Sequence, residues 1–390
     1  MGKITNEELN KIKESSAKDL PKEIKTLQKF CKIDCGTRNL EGNKQVVAIV
    51  DQELSKLKGV KIIHHESPEF GTAVVGILKS KNAKGKIILN AHLDTVFKPG
   101  DCKKHPYKVE GDKAYGLGIV DCKGGVIVSC HAVKLAQELG LLPNSEIVMI
   151  YNPDEEVGSP FGQQVFKKYV KGANAAYVFE PARNQDGIIT SRKCGMHFHL
   201  EVTGVAAHSG VNYLDGRNAL VELSSIITRL YQANDDKRGI QFNFGKIDDG
   251  GRDLGIIPPY AACEVSVRVG DDKEAQWARK TIEKVISKPF IKGTKTTMKE
   301  TYLGTPMHKT KESLLVYKNA CKAGKLLGLE LPQQTTGGGS DASYFMKYGV
   351  PAIDALGPHM FKMHSFEESL SIKSLQQRTE LFITILAGLR

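Results

Sequence analysis

The chain has 390 residues, 41% hydrophobic and 25% charged, an ordinary globular composition with room for two domains at roughly 150 residues each. The formal charge of +11 does not read as a nucleic-acid footprint. The lysines (Lys79, Lys81, Lys84, Lys86; Lys288, Lys292, Lys295, Lys299) are scattered over surface segments without interleaved aromatic side chains. No stretch approaches the roughly 20 apolar residues needed to cross a bilayer, and no repeat or low-complexity tract occurs, so neither membrane nor nucleic acid is expected as a partner.

Residues 1–25 are polar, with Leu9, Ile12, Leu20 and Ile24 spaced for a surface helix rather than for the apolar run of a signal peptide. A soluble, cytoplasmic protein is the expectation. The eight cysteines (31, 35, 102, 122, 130, 194, 263 and 321) form no CxxC pair and read as reduced thiols, Cys31 and Cys35 as packing residues. Short apolar runs at 74–78, 87–89, 147–151, 175–179 and 352–356 have the length of strands buried on both faces. Among them, Val128, Ala132, Leu135 and Leu139 form one stripe of a helix closed by Gly140. This alternation predicts a largely parallel sheet.

From Lys193 the texture changes. Residues 197–203 alternate like a half-exposed strand, followed by a predicted helix over 218–231, strands over 240–246 and 261–269, and a helix over 274–287. That β-α-β-β-α order suits a small open-faced α+β sandwich. Alternation of helix and strand resumes after about Gly304. The expected organisation is a discontinuous main domain, residues 1–192 and 305–390, interrupted by an inserted domain, residues 193–304.

Several apolar runs end in acids or imidazoles: His92-Leu93-Asp94, Asp154-Glu155-Glu156, Glu180 and, farther on, His364. Catalytic groups of open α/β sheets collect outside the carboxyl ends of the strands. Asp121 sits in a glycine-punctuated loop, residues 116–125, leading into the helix that Gly140 closes. Imidazoles and carboxylates without thiolates match a hydrolytic zinc centre, because such ligands leave the metal acidic enough to activate water. Asp121 is the candidate bridge between two metals, with His92 and Glu180 completing one site and Glu156 and His364 the other. Asp94 is placed to orient His92. Glu155, pointing away from Glu156 on an extended backbone, is the candidate general base.

Other signals fail. Gly116-x-Gly118 lacks the third glycine of a dinucleotide fingerprint, and the run 336–341 lacks the ending of a phosphate loop. Ser209 has no nucleophile elbow around it. His64, His65, His105, His131, His308 and His359 show no acidic partner at metal spacing and read as surface or packing residues.

The chain resembles the zinc-dependent metallopeptidases that include bacterial glutamate carboxypeptidase, acetylornithine deacetylase and succinyl-diaminopimelate desuccinylase, and looks most like the first. The likeness spans nearly the whole chain and rests on Ala91-His92-Leu93-Asp94-Thr95-Val96, Ala114-Tyr115-Gly116-x-Gly118-x-x-Asp121-x-Lys123-Gly124-Gly125, Asp154-Glu155-Glu156-x-Gly158-Ser159, Phe179-Glu180-Pro181, Ala207-His208-Ser209-Gly210, Thr336-Gly337-Gly338-Gly339-Ser340-Asp341-Ala342 and His364-Ser365. The resemblance implies a three-layer αβα zinc-exopeptidase domain with a mixed, mainly parallel sheet, and an inserted ferredoxin-like α+β lid that dimerises. It implies two zinc ions, replaceable by cobalt or manganese, held by His92, Asp121 and Glu180 and by Asp121, Glu156 and His364. It further implies Glu155 as base, a cis peptide after Asp121, and His208 as an oxyanion ligand reaching the partner subunit. Arg268, Gly338 and Gly339 match positions that hold the substrate carboxylate. One departure stands out: relatives carry Asn-x-Ile-Pro where this chain has Gly255-Ile256-Ile257-Pro258, which removes a side-chain donor.

The expected activity is hydrolysis of a peptide or N-acyl amino acid amide bond beside a free carboxylate. The rivals are an aminopeptidase or dipeptidase, or an N-acyl amino acid deacylase, with the same metals, and a metal-dependent peptide-binding dimer without turnover.

Overall fold

Six strands form the sheet of the larger structural unit, in the order Lys61–Ser67, Gly71–Lys79, Ser145–Asn152, Gly85–His92, Ala175–Val178 and Ala352–Ile353. The structure, a computed structural model, describes residues 2–183, 186–248, 250 and 253–390. The last four strands in that order run parallel, and Gly71–Lys79 joins Ser145–Asn152 and Lys61–Ser67 antiparallel. The sheet is therefore mixed and mainly parallel. The apolar runs 74–78, 87–89 and 147–151 lie within strands, whereas 175–179 outruns its strand by one residue and only the first two residues of 352–356 are strand. Residues 87–92 and 147–152 are buried without alternation, as strands covered on both faces require.

The chain folds as two compact units, one of residues 1–191, 309–335 and 340–390 and the other of 192–308 and 336–339. Residues 336–339, the start of the glycine run, thus group with the smaller unit. That unit is an antiparallel sheet in the order Phe242–Asp248, Tyr260–Val269, Cys194–Thr203 and Lys295–Leu303, with helices Ala219–Tyr231 and Asp272–Ile286 against it. Met196, Phe198, Leu200 and Val202 alternate inward to its core. The strand Lys295–Leu303 is absent from the sequence-based reading. Its polar alternation and exposed face are those of an edge strand, which carries too little apolar signal to announce itself.

In the larger unit, helices Asn6–Phe30, Gly125–Glu138 and Ile372–Gly388 pack on one another. His131, which shows no acidic partner at metal spacing in the sequence and reads there as a surface or packing residue, is buried at their junction and meets acids from elsewhere in the chain. His131 Nδ1 lies 2.5 Å from Asp19 Oδ2, Nε2 lies 3.3 Å from Glu53 Oε2, and Lys134 Nζ donates to both Asp19 oxygens at 2.7 Å. His64 and His359 likewise meet Asp51 and Asp186 at 2.9 and 2.6 Å. All these acids are distant in sequence, so local spacing could not reveal them.

Glu23 belongs to the same cluster. Its Oε1 accepts from Thr379 Oγ1 at 3.0 Å, while its buried Oε2 has no hydrogen-bond partner. Burial pushes its carboxyl up to about 7. A carboxyl raised in the folded state favours folding fully only below its unfolded value, and that contribution is lost as pH rises through the folded one. Glu23→Gln is therefore expected to gain stability relative to wild type between about pH 4.5 and 7, with the difference constant above. Urea unfolding across this range checks it, and parallel pH profiles for the two proteins would contradict it.

Candidate metal centre

The parallel register brings three strand ends to one edge. His92 closes Gly85–His92 opposite Asn152, Asn90 pairs with Val178, and Glu180 follows two residues later. Glu155 and Glu156 sit on a 3₁₀ turn, Glu155–Val157, rather than on the extended backbone expected from sequence. The turn is pinned by Asp94, whose carboxylate accepts the N–H of Glu155 at 3.0 Å, the N–H of Glu156 at 3.2 Å and the Thr37 hydroxyl at 2.6 Å. The Asp94 carbonyl and carboxylate also approach His92 Nδ1, at 3.0 and 3.3 Å. Behind the turn, Asn152 Nδ2 donates to Asp341 at 2.9 Å, and the Ser159 hydroxyl donates to the same carboxylate.

Asp121 arrives by a different route. Its loop, Ile119–Gly124, enters through Gly118 at φ 65°, a left-handed conformation that glycine adopts without steric cost. A Cβ at Gly125 would stand 2.0 Å from the Phe179 carbonyl oxygen, so only glycine lets the helix start this close to the strand that delivers Glu180. Buried Lys123 holds the loop by donating to the carbonyls of Leu117 at 2.8 Å and Ile33 at 3.3 Å. The Asp121–Cys122 peptide is cis, as the resemblance implies. Glu368 accepts the N–H groups of Val120 at 3.0 Å and Asp121 at 3.3 Å. His364 lies between the strands Met360–Phe361 and Ser369–Ser371, and the latter pairs with Lys113–Tyr115, just before the Asp121 loop.

The five candidate ligands thereby meet. His92 Nε2 is 2.9 Å from Asp121 Oδ1 and 3.7 Å from Glu180 Oε1. His364 Nε2 is 3.0 Å from Asp121 Oδ2 and 3.5 Å from Glu156 Oε2. Two groups of mutually close donors result: His92, Asp121, Cys122 and Glu180, and Asp121, Glu156 and His364. A third, Asp19, Glu23 and His131, already has the Lys134 ammonium against Asp19.

Burial pushes the Glu155 carboxyl well above its ordinary value, and the Glu180 charge pushes it further. Glu156 rises for the same first reason, with Asp121 adding to it. Burial alone would raise Asp121 too, but hydrogen bonds from His364 and His92 hold it well below the usual carboxylate range. Its hydrogen bond to Asp121 raises His364. Glu156 Oε1 is buried without a hydrogen-bond partner. A cluster of acids that repel one another, facing two imidazoles and holding an unpaired oxygen, fits divalent cations, whose charge reverses the local preference for protonation.

The other predicted site residues belong to the smaller unit. His208 is exposed, its Nδ1 accepting the Gly210 N–H at 3.1 Å, and the segment carrying Gly255 runs beside it, with Ser209 N–H donating to the Gly255 carbonyl at 2.8 Å. Arg268 is exposed on Tyr260–Val269, opposite Gly195. The carbonyls of Gly338 and Gly339 accept from Arg192 Nη1 at 3.1 and 2.8 Å. Sequence reasoning missed Thr37, which donates to Asp94, Glu368, which holds the Asp121 backbone, and Cys122, whose thiol donates to the Phe179 carbonyl at 3.1 Å. Of these only Cys122, next to Asp121, had a local signal.

The pattern that describes peptidase family M20/M25/M40 matches residues 88–388. The chain belongs to this family. As an M20 peptidase it is a hydrolase of the metallopeptidase class. It is 32% identical over 379 residues to carboxypeptidase G2 of Pseudomonas sp. (strain RS-16), covering 95% of this chain and 89% of that one. A tripeptidase from Staphylococcus aureus superposes with a TM-score of 0.81 at 21% identity, covering 95% of this chain and 98% of that one. A dinuclear metal binding peptidase of Bacillus subtilis gives 0.68 at 15% identity, covering 95% and 97%. No helix among the described residues is long and apolar enough to cross a membrane.

Proposed function

We propose that this M20 peptidase is a two-zinc exopeptidase that cleaves a peptide or N-acyl amino acid amide bond beside a free carboxylate, as a glutamate carboxypeptidase does. The observation that carries the reading is the pose of Asp121, with each carboxylate oxygen against a different imidazole, His92 at 2.9 Å and His364 at 3.0 Å. His92, Asp121 and Glu180 would hold one ion, and Asp121, Glu156 and His364 the other. Bound there, the cations supply Lewis acidity and lower the pKa of water.

The chain's own groups do the rest. Glu155 takes the proton of the attacking water on a carboxylate oxygen and returns it to the leaving amine. Asp94 keeps Glu155 and the His92 ring in position. Arg268 and the Gly338-Gly339 backbone dock the substrate carboxylate, and His208 of the partner subunit meets the oxyanion. Gly255 offers no side-chain donor, so preference for glutamate is relaxed. Dimerisation through the smaller unit is supported by Val211, Leu214 and Leu254, exposed to 83%, 86% and 102%, an apolar display that favours a partner surface. The eight unpaired cysteines suit a reducing, cytoplasmic location, which cell fractionation checks.

Glu155→Gln is expected to lower kcat at least about 100-fold while zinc content, measured by atomic absorption, stays unchanged. Undiminished hydrolysis by the fully loaded variant would refute the assignment. The 42.8 kDa chain is expected to sediment as a dimer, and Leu214→Glu combined with Leu254→Glu to sediment as a folded monomer. A dimer that survives both changes would move the interface elsewhere.

A further inference from the structure

The sheet of the smaller unit has one face sealed by helices and one that carries polar side chains. At one end of the polar face, Gly195 on Cys194–Thr203 pairs with Arg268, and His197 pairs with Ser266 on one side and Tyr302 on the other. Gly195 is a strand residue without a left-handed backbone, so conformation does not demand glycine there. What it provides is room. A Cβ built on Gly195 would stand 3.2 Å from His197 Nε2, 3.3 Å from Arg268 Nη1 and 3.8 Å from Tyr302 Cε1. A methyl there would press His197 and Arg268 back by a few tenths of an ångström and a bulkier side chain would part them further, whereas glycine lets them converge over one point of the strand.

Their chemistry is complementary. Arg268 is exposed and, among the described residues, makes no ion pair with an acid. His197 is half-buried, its ring 5.0 Å from that of Tyr302 at 38°. Burial, and then the Arg268 charge, lowers its pKa, so at neutral pH the ring carries one proton and can donate from Nε2. A cation and a neutral donor, each within 3.3 Å of that one point, suit the two oxygens of one carboxylate, one hydrogen bond to each.

We propose that His197 is a specificity-determining residue which, with Arg268, reads the free carboxylate of the substrate, supplying the side-chain donor that Gly255 lacks. The tight convergence over Gly195 fixes the spacing of the two donors. Tyr302 walls the site and holds the imidazole plane. The proposal rests on the reading that Arg268 docks a substrate carboxylate.

The test is steady-state kinetics of the zinc-loaded wild type, His197→Leu and His197→Gln on a panel of N-acyl amino acids and dipeptides, each as the free acid and as the C-terminal amide. Loss of one hydrogen bond to a charged group is expected to raise KM for the acids about tenfold in His197→Leu. kcat should change less than about twofold and the amides should be unaffected. His197→Gln, which keeps a donor at similar reach, should recover most of the loss. A preference for acids that is the same in His197→Leu as in wild type would overturn the role of His197 while leaving that of Arg268. A wild type that cleaves amides as well as acids, or nothing on the panel, would overturn the underlying reading and this proposal with it.

Discussion

One buried carboxylate organises the larger unit's functional edge. Asp121 is 5% exposed and its two oxygens face two imidazoles that lie 272 positions apart in the chain, His92 and His364. Left alone, burial would drive its proton back on. Hydrogen bonds from both rings keep it ionised instead, so the loop that carries it has to be held rigidly where both rings can reach. Much of the nearby structure serves that requirement: the absent Cβ of Gly125, the Lys123 ammonium capped by two carbonyls, and the Glu368 carboxylate gripping two consecutive N–H groups.

The neighbouring acids pull the other way. Glu155 and Glu156 lie on a turn where Glu155 faces the charge of Glu180 and Glu156 those of Asp121 and Glu180, and burial pushes both up. Such an arrangement opposes folding and is a recurring mark of functional sites. Divalent cations relieve it, so ion binding and site stability are linked. Asp94 shows how the strain is contained, because its carboxylate fixes the backbone of the turn while its carbonyl orients His92. The same Asp94 therefore aligns a candidate base and a candidate ligand.

Much of this was legible in the sequence, for a physical reason. Strands buried on both faces are written as unbroken apolar runs, and the residues just past them, His92, Glu155, Glu156 and Glu180, stand out as charges where burial is expected. The stripe that predicts the helix Gly125–Glu138 is equally plain. What sequence left dark lies elsewhere. Lys295–Leu303 is an edge strand whose exposed face hides its period. Glu368 and Thr37 act through backbone and hydroxyl contacts that no local spacing announces. The acidic partners of His131 come from helices 78 to 112 positions away, and the 3₁₀ turn at Glu155 depends on Asp94, two residues past the end of the strand Gly85–His92.

The proposed pair of ions shared through Asp121 is tested most directly by counting them. Zinc is added to the metal-free protein, excess is removed, and metal per chain is measured for wild type and for Asp121→Ala with its circular dichroism unchanged. The expected result is two zinc ions per chain in wild type and one or none in Asp121→Ala. A wild type that retains a single ion, or a variant that still retains two, would contradict the bridging role.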